Sequence, residues 1–223
     1  HVSNIKNLLP DIQAFAPSVL LVVPRVLEKV YNAASAKAGG GVKGRLFAWS
    51  AKQARTFSVA SAKTFGPGLF KKMRHGIADA LVLKKIRSVL GPNLRYIVSG
   101  GAPLATDLAH FYAGMGITLI QGYGLSETTG PISVQHIGKN PVGGVGLPLP
   151  GNFIKIAKDG EILVRGQSVM PGYYHLPEQT AEVMPDGKWF HTGDLGSIDR
   201  KGQLTITGRK KELIVTAGGK NVS

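Results

Sequence analysis

Residues 94–124, LRYIVSGGAPLATDLAHFYAGMGITLIQGYG, decide the fold. Residues 94–98 are a short apolar run that opens into the turn Ser99-Gly100-Gly101-Ala102-Pro103. Residues 104–113 carry helix formers, with Asp107 early, where an acid complements the positive end of the helix dipole. Residues 117–120 are a second apolar run, leading into Gln121-Gly122-Tyr123-Gly124. Strand, helix and strand with apolar strands predict an α/β fold built on a parallel sheet. Ligands of such sheets bind outside the carboxyl ends of the strands. The expected loops 99–103 and 121–128 are therefore the first place to look for chemistry.

Upstream, residues 19–23 read as a buried strand stopped by Pro24. Helices are expected over 25–38, ended by three glycines, over about 45–63, and over about 69–90 after Gly66-Pro67-Gly68. Beyond Gly143 the texture is all-β. Alternating runs at 153–156, 161–165 and 203–207 are punctuated by Asp159-Gly160, Asp186-Gly187 and Lys201-Gly202. A partial α/β subdomain over 1–150 and a small β-barrel subdomain over 151–208 follow.

The 223 residues include no cysteine, which excludes disulfides, thiolate metal sites and a cysteine nucleophile. No apolar run is long enough to predict a spanning helix. The net charge is +14, and residues 1–100 hold 16 Lys and Arg against 3 Asp and Glu. A field of that sign attracts anionic lipid or polyanions, and solvated helix faces account for it equally well. Nucleic acid is the disfavoured partner, because no stacking-aromatic pattern accompanies the charge.

Several motifs fail on context. Gly39, Gly41 and Gly44 match G-x-G-x-x-G, but a helix precedes them where the dinucleotide motif needs a strand. Gly219-Lys220 lacks the upstream glycine of a phosphate loop, since position 215 is Val215. The six histidines have no zinc spacing. Ser126 is not in a nucleophile elbow.

What remains is a constellation suited to a magnesium nucleotide. Gly100 and Gly101 let backbone approach a flat ligand. Tyr123 offers an aromatic face, Glu127 an oxygen ligand for Mg²⁺, and Thr128 a hydroxyl for a phosphate. Asp194, after the aromatic pair Trp189-Phe190, is placed to accept ribose hydroxyls. Arg209 is a bidentate donor. Singly, each has a plain structural alternative: a tight turn, a turn cap or a surface charge.

YGLSETTG (123–130), WFHTGDLG (189–196) and GRKKELIVTAGGKNVS (208–223), with SGGAPL (99–104) and GEILVRG (160–166) in the same order, resemble the core motifs of the adenylate-forming superfamily. That group contains acyl-CoA synthetases, luciferase and peptide-synthetase adenylation domains. The resemblance is strongest to long-chain fatty-acid–CoA ligases. It implies ATP-dependent activation of a fatty acid to acyl-AMP and pyrophosphate, then transfer to CoA. It also implies a cytoplasmic enzyme, with peripheral contact to anionic membrane. An acyl-AMP ligase loading a carrier protein and a catalytically silent nucleotide- or lipid-binding fragment are the alternatives.

By that resemblance Gly100, Gly101, Ala102, Pro103, Gln121, Gly122, Tyr123, Gly124 and Ile206 line the ATP/AMP pocket, with Tyr123 on the adenine. Thr128 contacts the α-phosphate, Glu127 holds Mg²⁺, and Asp194 and Arg209 hold the ribose. Residues 209–223 become the hinge and the start of a C-terminal lid, with Lys211 at the hinge and Gly218 and Gly219 near the CoA path. The superfamily's Ser/Thr/Gly-rich phosphate loop and its lid lysine find no match, so the chain reads as a piece of a longer enzyme, inactive by itself.

Overall fold

The structure is a computed structural model and describes residues 8–138, 142–212, 214–215 and 221–222. The chain forms two compact units: His1–Ile120 with Pro141–Gly143, and Gln121–Asn140 with Gly144–Ser223.

In the first unit, β1 (Val19–Val22) pairs in parallel with β2 (Tyr96–Ser99). Helices pack around them: α1 (Leu8–Phe15), α2 (Pro24–Ala38), α3 (Gly41–Ser61), α4 (Leu69–Ala78), α5 (Lys84–Leu90) and α6 (Thr106–Gly114). Pro24 starts α2, where its missing N–H costs nothing. Gly39, at φ +63°, ends that helix with its N–H directed at the carbonyls of Ser35 and Ala36. The core gathers Leu27, Leu83, Leu90, Ile97, Phe111 and Tyr112, all with no exposed surface. The Tyr112 hydroxyl is satisfied there, donating to the Leu27 carbonyl at 2.8 Å. Where α6 meets α3, a Cβ on Gly114 would lie 2.0 Å from the Ala54 carbonyl oxygen, so only glycine permits the approach.

The single helix expected over 69–90 is broken into α4, a π-helical turn at Asp79–Leu83, and α5. The buried residues explain the break. Ala78 and Leu83 are five apart, whereas Leu83, Ile86 and Leu90 follow at ordinary spacing. One wide turn brings the face of α5 onto the core when α4 alone would carry it away.

The second unit begins inside β3 (Thr118–Leu125). Residues 121–125, expected as loop, are strand. They pair antiparallel with β4 (Gly130–Val134), with a register shift between Tyr123 and Gly124, and β4 pairs with β5 (Leu147–Pro148). A Cβ on Gly124 would lie 2.0 Å from the Gly130 carbonyl oxygen. The glycines that suggested a loop are what lets these strands close together.

The expected small β-barrel subdomain is a four-stranded antiparallel meander that curls as a half-barrel. Its strands are β6 (Asn152–Ile156), β7 (Glu161–Gly166), β8 (Phe190–Ile198) and β9 (Leu204–Arg209), with α7 (Pro177–Val183) between β7 and β8. Ile132 of β4 packs with Val164 of β7 and Phe190 of β8 to form the core of this unit. A further pair, β10 (Ile214–Val215) with β11 (Asn221–Val222), follows a 3₁₀ turn at Lys210–Glu212. Among the described residues, no helix is long and apolar enough to cross a membrane.

Candidate functional site

Three separate sequence motifs meet on the second unit. Asp194 and Arg209 are register partners across β8 and β9. The Arg209 Nε donates to Asp194 Oδ1 at 2.9 Å, and the Tyr123 hydroxyl donates to Asp194 Oδ2 at 2.7 Å. The Asp194 side chain is only 11% exposed, against 54% for Arg209. Gly193, at φ +72°, makes the bend that presents it. Each carboxylate oxygen accepts one protein donor and keeps a second lone pair, so the group is oriented yet can still accept two hydroxyls. Burial pushes the Tyr123 phenol well above its ordinary range, and the adjoining Asp194 adds to the effect. Tyr123 therefore keeps its proton and its hydrogen bond to Asp194 at any ordinary pH.

Glu127 lies in the 3₁₀ turn Ser126–Thr128 and is half-buried. One of its carboxylate oxygens accepts the Tyr173 hydroxyl at 2.9 Å. Burial, and then Glu127 itself, raise the Tyr173 phenol. The turn is also tied to the following loop, because the Met170 N–H donates to the Glu127 carbonyl at 2.8 Å. No motif marks Tyr173, which stands 46 positions from its partner.

Thr128 is fully buried. Its hydroxyl accepts the Leu125 N–H at 2.8 Å and faces the carbonyls of Gly130 and Leu125 at 2.8 and 3.0 Å. That hydroxyl closes its own turn, and a phosphate would reach it only if the turn opened. Ser126, at the start of the same turn, is exposed.

A second ionic node lies beside the first. Glu161, with a side chain 5% exposed, accepts from Lys210 Nζ at 2.9 Å, from the Gly193 N–H at 2.9 Å and from His191 Nδ1 at 3.1 Å. Lys210 also pairs with Asp159 at 2.7 Å. Burial by itself raises the Glu161 carboxyl, but Lys210, the Gly193 N–H and His191 outweigh it and hold it below the usual carboxylate range. Asp159 and Glu161 raise Lys210. Arg209, the last residue of β9, and Lys210, the first of the 3₁₀ turn that follows, are held by two different carboxylates, and the exposed Lys211 comes next.

The other sequence candidates are placed as follows. Gly100 to Pro103 form the turn after β2 in the first unit, with Gly101 at φ +79° and residues 101–103 exposed. Gln121 is buried in β3, its N–H donating to Gln135 Oε1 at 2.9 Å. Gly122 and Gly124 are in the same strand, and Ile206 is in β9 opposite Gly196. Gly218 and Gly219 lie outside the described residues. Among the described residues, no three metal-binding side chains gather.

Residues 2–174 match the family model described as AMP-binding enzyme. The chain belongs to that family. This AMP-binding enzyme chain is 52% identical over 221 residues to the long-chain-fatty-acid–CoA ligase FadD15 of Mycobacterium bovis, covering 99% of the chain and 36% of that relative. It thus spans about a third of the length of the curated relatives it matches. Its fold is that of the anthranilate CoA ligase AuaEII in complex with anthranoyl-AMP, at 21% identity and a TM-score of 0.62 over 98% of this chain and 34% of that one. The O-succinylbenzoate coenzyme A synthetase of Bacillus subtilis, in complex with ATP and magnesium ion, is alike at 21% identity and a TM-score of 0.61, over 98% of this chain and 37% of that one.

Proposed function

We propose that this chain is the nucleotide-gripping portion of an ATP-dependent long-chain fatty-acid–CoA ligase. The observation that carries the reading is Asp194, a nearly buried carboxylate held from both sides by Tyr123 and Arg209. A carboxylate so oriented keeps lone pairs for a further pair of donors, and a ribose diol is the pair an AMP-binding enzyme must hold. The identity to a long-chain ligase supports the acyl class and CoA as the acceptor.

In this reading the Asp194 oxygens accept the ribose hydroxyls while Arg209 and Tyr123 fix the carboxylate plane. The exposed Ser126 hydroxyl takes the phosphate-side role expected of Thr128, whose burial commits it to the turn. Glu127 is the residue that would hold Mg²⁺. One of its oxygens is oriented by Tyr173 and the other is left for a cation. A single protein carboxylate suits Mg²⁺, which keeps water and substrate phosphates as its other ligands. Bound there, the ion would offset phosphate charge as the acyl-phosphate bond forms. Preorganised donors do the rest, since adenylation is mainly positioning and charge stabilisation. On the second unit Gln121, Gly122, Gly124 and Ile206 are the further proposed nucleotide contacts; the resemblance alone assigns Gly100, Gly101, Ala102 and Pro103 to the nucleotide and Gly218 and Gly219 to the CoA path. Lys211 is the proposed pivot.

Calorimetric titration with a non-hydrolysable long-chain acyl-AMP analogue tests this. Charge-assisted bonds to Asp194 contribute about 1.5–3 kcal/mol, so Asp194→Ala should weaken binding roughly 10- to 100-fold. Equal affinity of the two proteins would refute Asp194 as the ribose anchor.

A further inference from the structure

Asp194 stands where β8 parts from β7. On the β9 side it keeps its register partner, Arg209. On the β7 side, Leu163 pairs with His191 and Glu161 pairs with Leu195. Thr192, Gly193 and Asp194 therefore stand together against the single Ile162 of β7. A bulge of this kind re-aims a side chain, and its extra residues lose their ladder partners. Their buried polar groups must be satisfied in another way.

Side chains satisfy them. The Thr192 hydroxyl donates to the Ile162 carbonyl at 2.8 Å and accepts the Asp194 N–H at 3.1 Å. Gly193 makes the bend, at φ +72°, and its N–H donates to Glu161 Oε1 at 2.9 Å. Glu161 Oε2 accepts from His191 Nδ1 at 3.1 Å and from Lys210 Nζ at 2.9 Å. One buried carboxylate thus holds the start of the bulge, its bend, and the residue after Arg209. Both residues proposed to grip the ribose, Asp194 and Arg209, are chain neighbours of a group that Glu161 fixes. Glu161 is ionised at neutral pH, because its carboxyl is held below the usual range, and bonds to a charged acceptor are the stronger kind. All of these groups belong to the second unit.

We propose that Glu161 is a positioning residue of the nucleotide site: without touching the ligand, it sets the β8 bulge so that the Asp194 carboxylate meets the Tyr123 hydroxyl and is presented to the ribose diol. Holding the receiving group in place beforehand lowers the cost of ordering it on binding. The ribose half of this inference rests on the ligase reading; the setting of Asp194 against Tyr123 does not.

Glu161→Gln tests it. The amide offers one acceptor oxygen to three donors, so the bend and the strand end can no longer be held together. Glu161→Asp keeps the charge but withdraws it by about 1.5 Å, and it serves as the second variant where the first does not fold. The first readout needs no ligand. In ¹³C-tyrosine spectra of the 223-residue chain, the Tyr123 Cζ signal is the one missing from Tyr123→Phe, and its place in Asp194→Ala marks loss of the Tyr123–Asp194 hydrogen bond. Both Glu161 variants should move the signal toward that place. The second readout is calorimetric titration with the non-hydrolysable acyl-AMP analogue and with its 2′,3′-dideoxy counterpart. Glu161→Gln should bind the first about fivefold more weakly than wild type, the worth of one net hydrogen bond, and the second equally well. An unmoved Tyr123 signal, unaltered affinity for the ribose form, or equal weakening with both analogues would each overturn the proposal, the last because it marks a merely structural role. A wild-type chain that bound the two analogues alike, or neither, would instead count against the ribose reading. The Tyr123 signal then decides alone: moved, it upholds the setting of Asp194 by Glu161, and unmoved, it overturns it.

Discussion

Glu161→Gln separates the ionic node from mere packing. The substitution keeps shape and volume and retains an acceptor for the Gly193 N–H, but it removes the charge that faces Lys210 and His191. Hydrogen bonds to a charged group contribute about 1.5–3 kcal/mol, against about 1 for a neutral one. Lys210 is 45% exposed and keeps Asp159, so no buried cation is stranded and the larger penalty of a broken buried pair does not apply. The expected loss at pH 7 is therefore about 2 kcal/mol. The pH dependence carries the sharper test. The folded-state carboxyl of Glu161 titrates below its ordinary value, so its stabilisation is present above about pH 4.5 and lost as the pH falls through the lowered folded pKa. The two proteins should converge in acid. Urea unfolding, followed by the fluorescence of Trp189 beside β8 in a Trp49→Phe background, reads the second unit alone. A difference under about 0.5 kcal/mol at pH 7, or one that persists unchanged from pH 7 to pH 3, would refute the assignment of this node as an ionic clamp.

Other substitutions probe the scaffold and the site. Gly114→Ala should destabilise the first unit by about 3 kcal/mol or prevent its folding, because the new methyl meets the Ala54 carbonyl at 2.0 Å; thermal unfolding reads this. Tyr112→Phe leaves the buried Leu27 carbonyl without its donor and should cost about 1–2 kcal/mol in the same assay. Tyr123→Phe should lower affinity for the acyl-AMP analogue about tenfold with little change in fold, since Asp194 keeps Arg209 but loses one of its two orienting donors. Ser126→Ala should weaken binding of the same analogue while leaving stability within about 0.5 kcal/mol, whereas Thr128→Val should destabilise the fold first. Reversal of that order would return the phosphate contact to Thr128.

The elements that were legible in the sequence are those decided locally. α2 is bounded by Pro24 and a glycine run, and β6, β7 and β9 by turn residues, so periodicity and punctuation agree. The strand at 121–125 was hidden by its own glycines. Gly122 and Gly124 read as a loop until β4, beginning at residue 130, closes against them. The π turn was hidden because a helical period continues on both sides of it and only the spacing of buried residues reveals the slip. In the site, Tyr123, Asp194 and Arg209 were each visible as chemistry-bearing residues in turn contexts. Their meeting was not, since 71 positions separate Tyr123 from Asp194. Glu161 had no assigned role for the same reason. Lys210 is 49 positions away and His191 is 30, and no local pattern encodes either pairing.

The two ionic nodes bear on how the proposed pivot would work. A hinge transmits motion only if the chain before it does not move. Arg209 and Lys210 fix the last residues of β9 to carboxylates on two other strands, Asp194 on β8 and Glu161 on β7. Those carboxylates are buried and are themselves held by Tyr123, the Gly193 N–H and His191. Rotation about the backbone of Lys211 would therefore leave the proposed ribose anchor, Asp194, in place. One consequence distinguishes clamp from pivot in a longer enzyme containing this chain. Lys210→Met should loosen the strand end and raise KM for ATP together with a fall in the rate of both half-reactions, because the Asp194 platform moves with it. Lys211→Pro should spare ATP binding and adenylation and stall only the thiol-transfer step. If Lys210→Met instead slowed thiol transfer alone, the strand end would belong to the moving part, and the pivot would have to lie before residue 210.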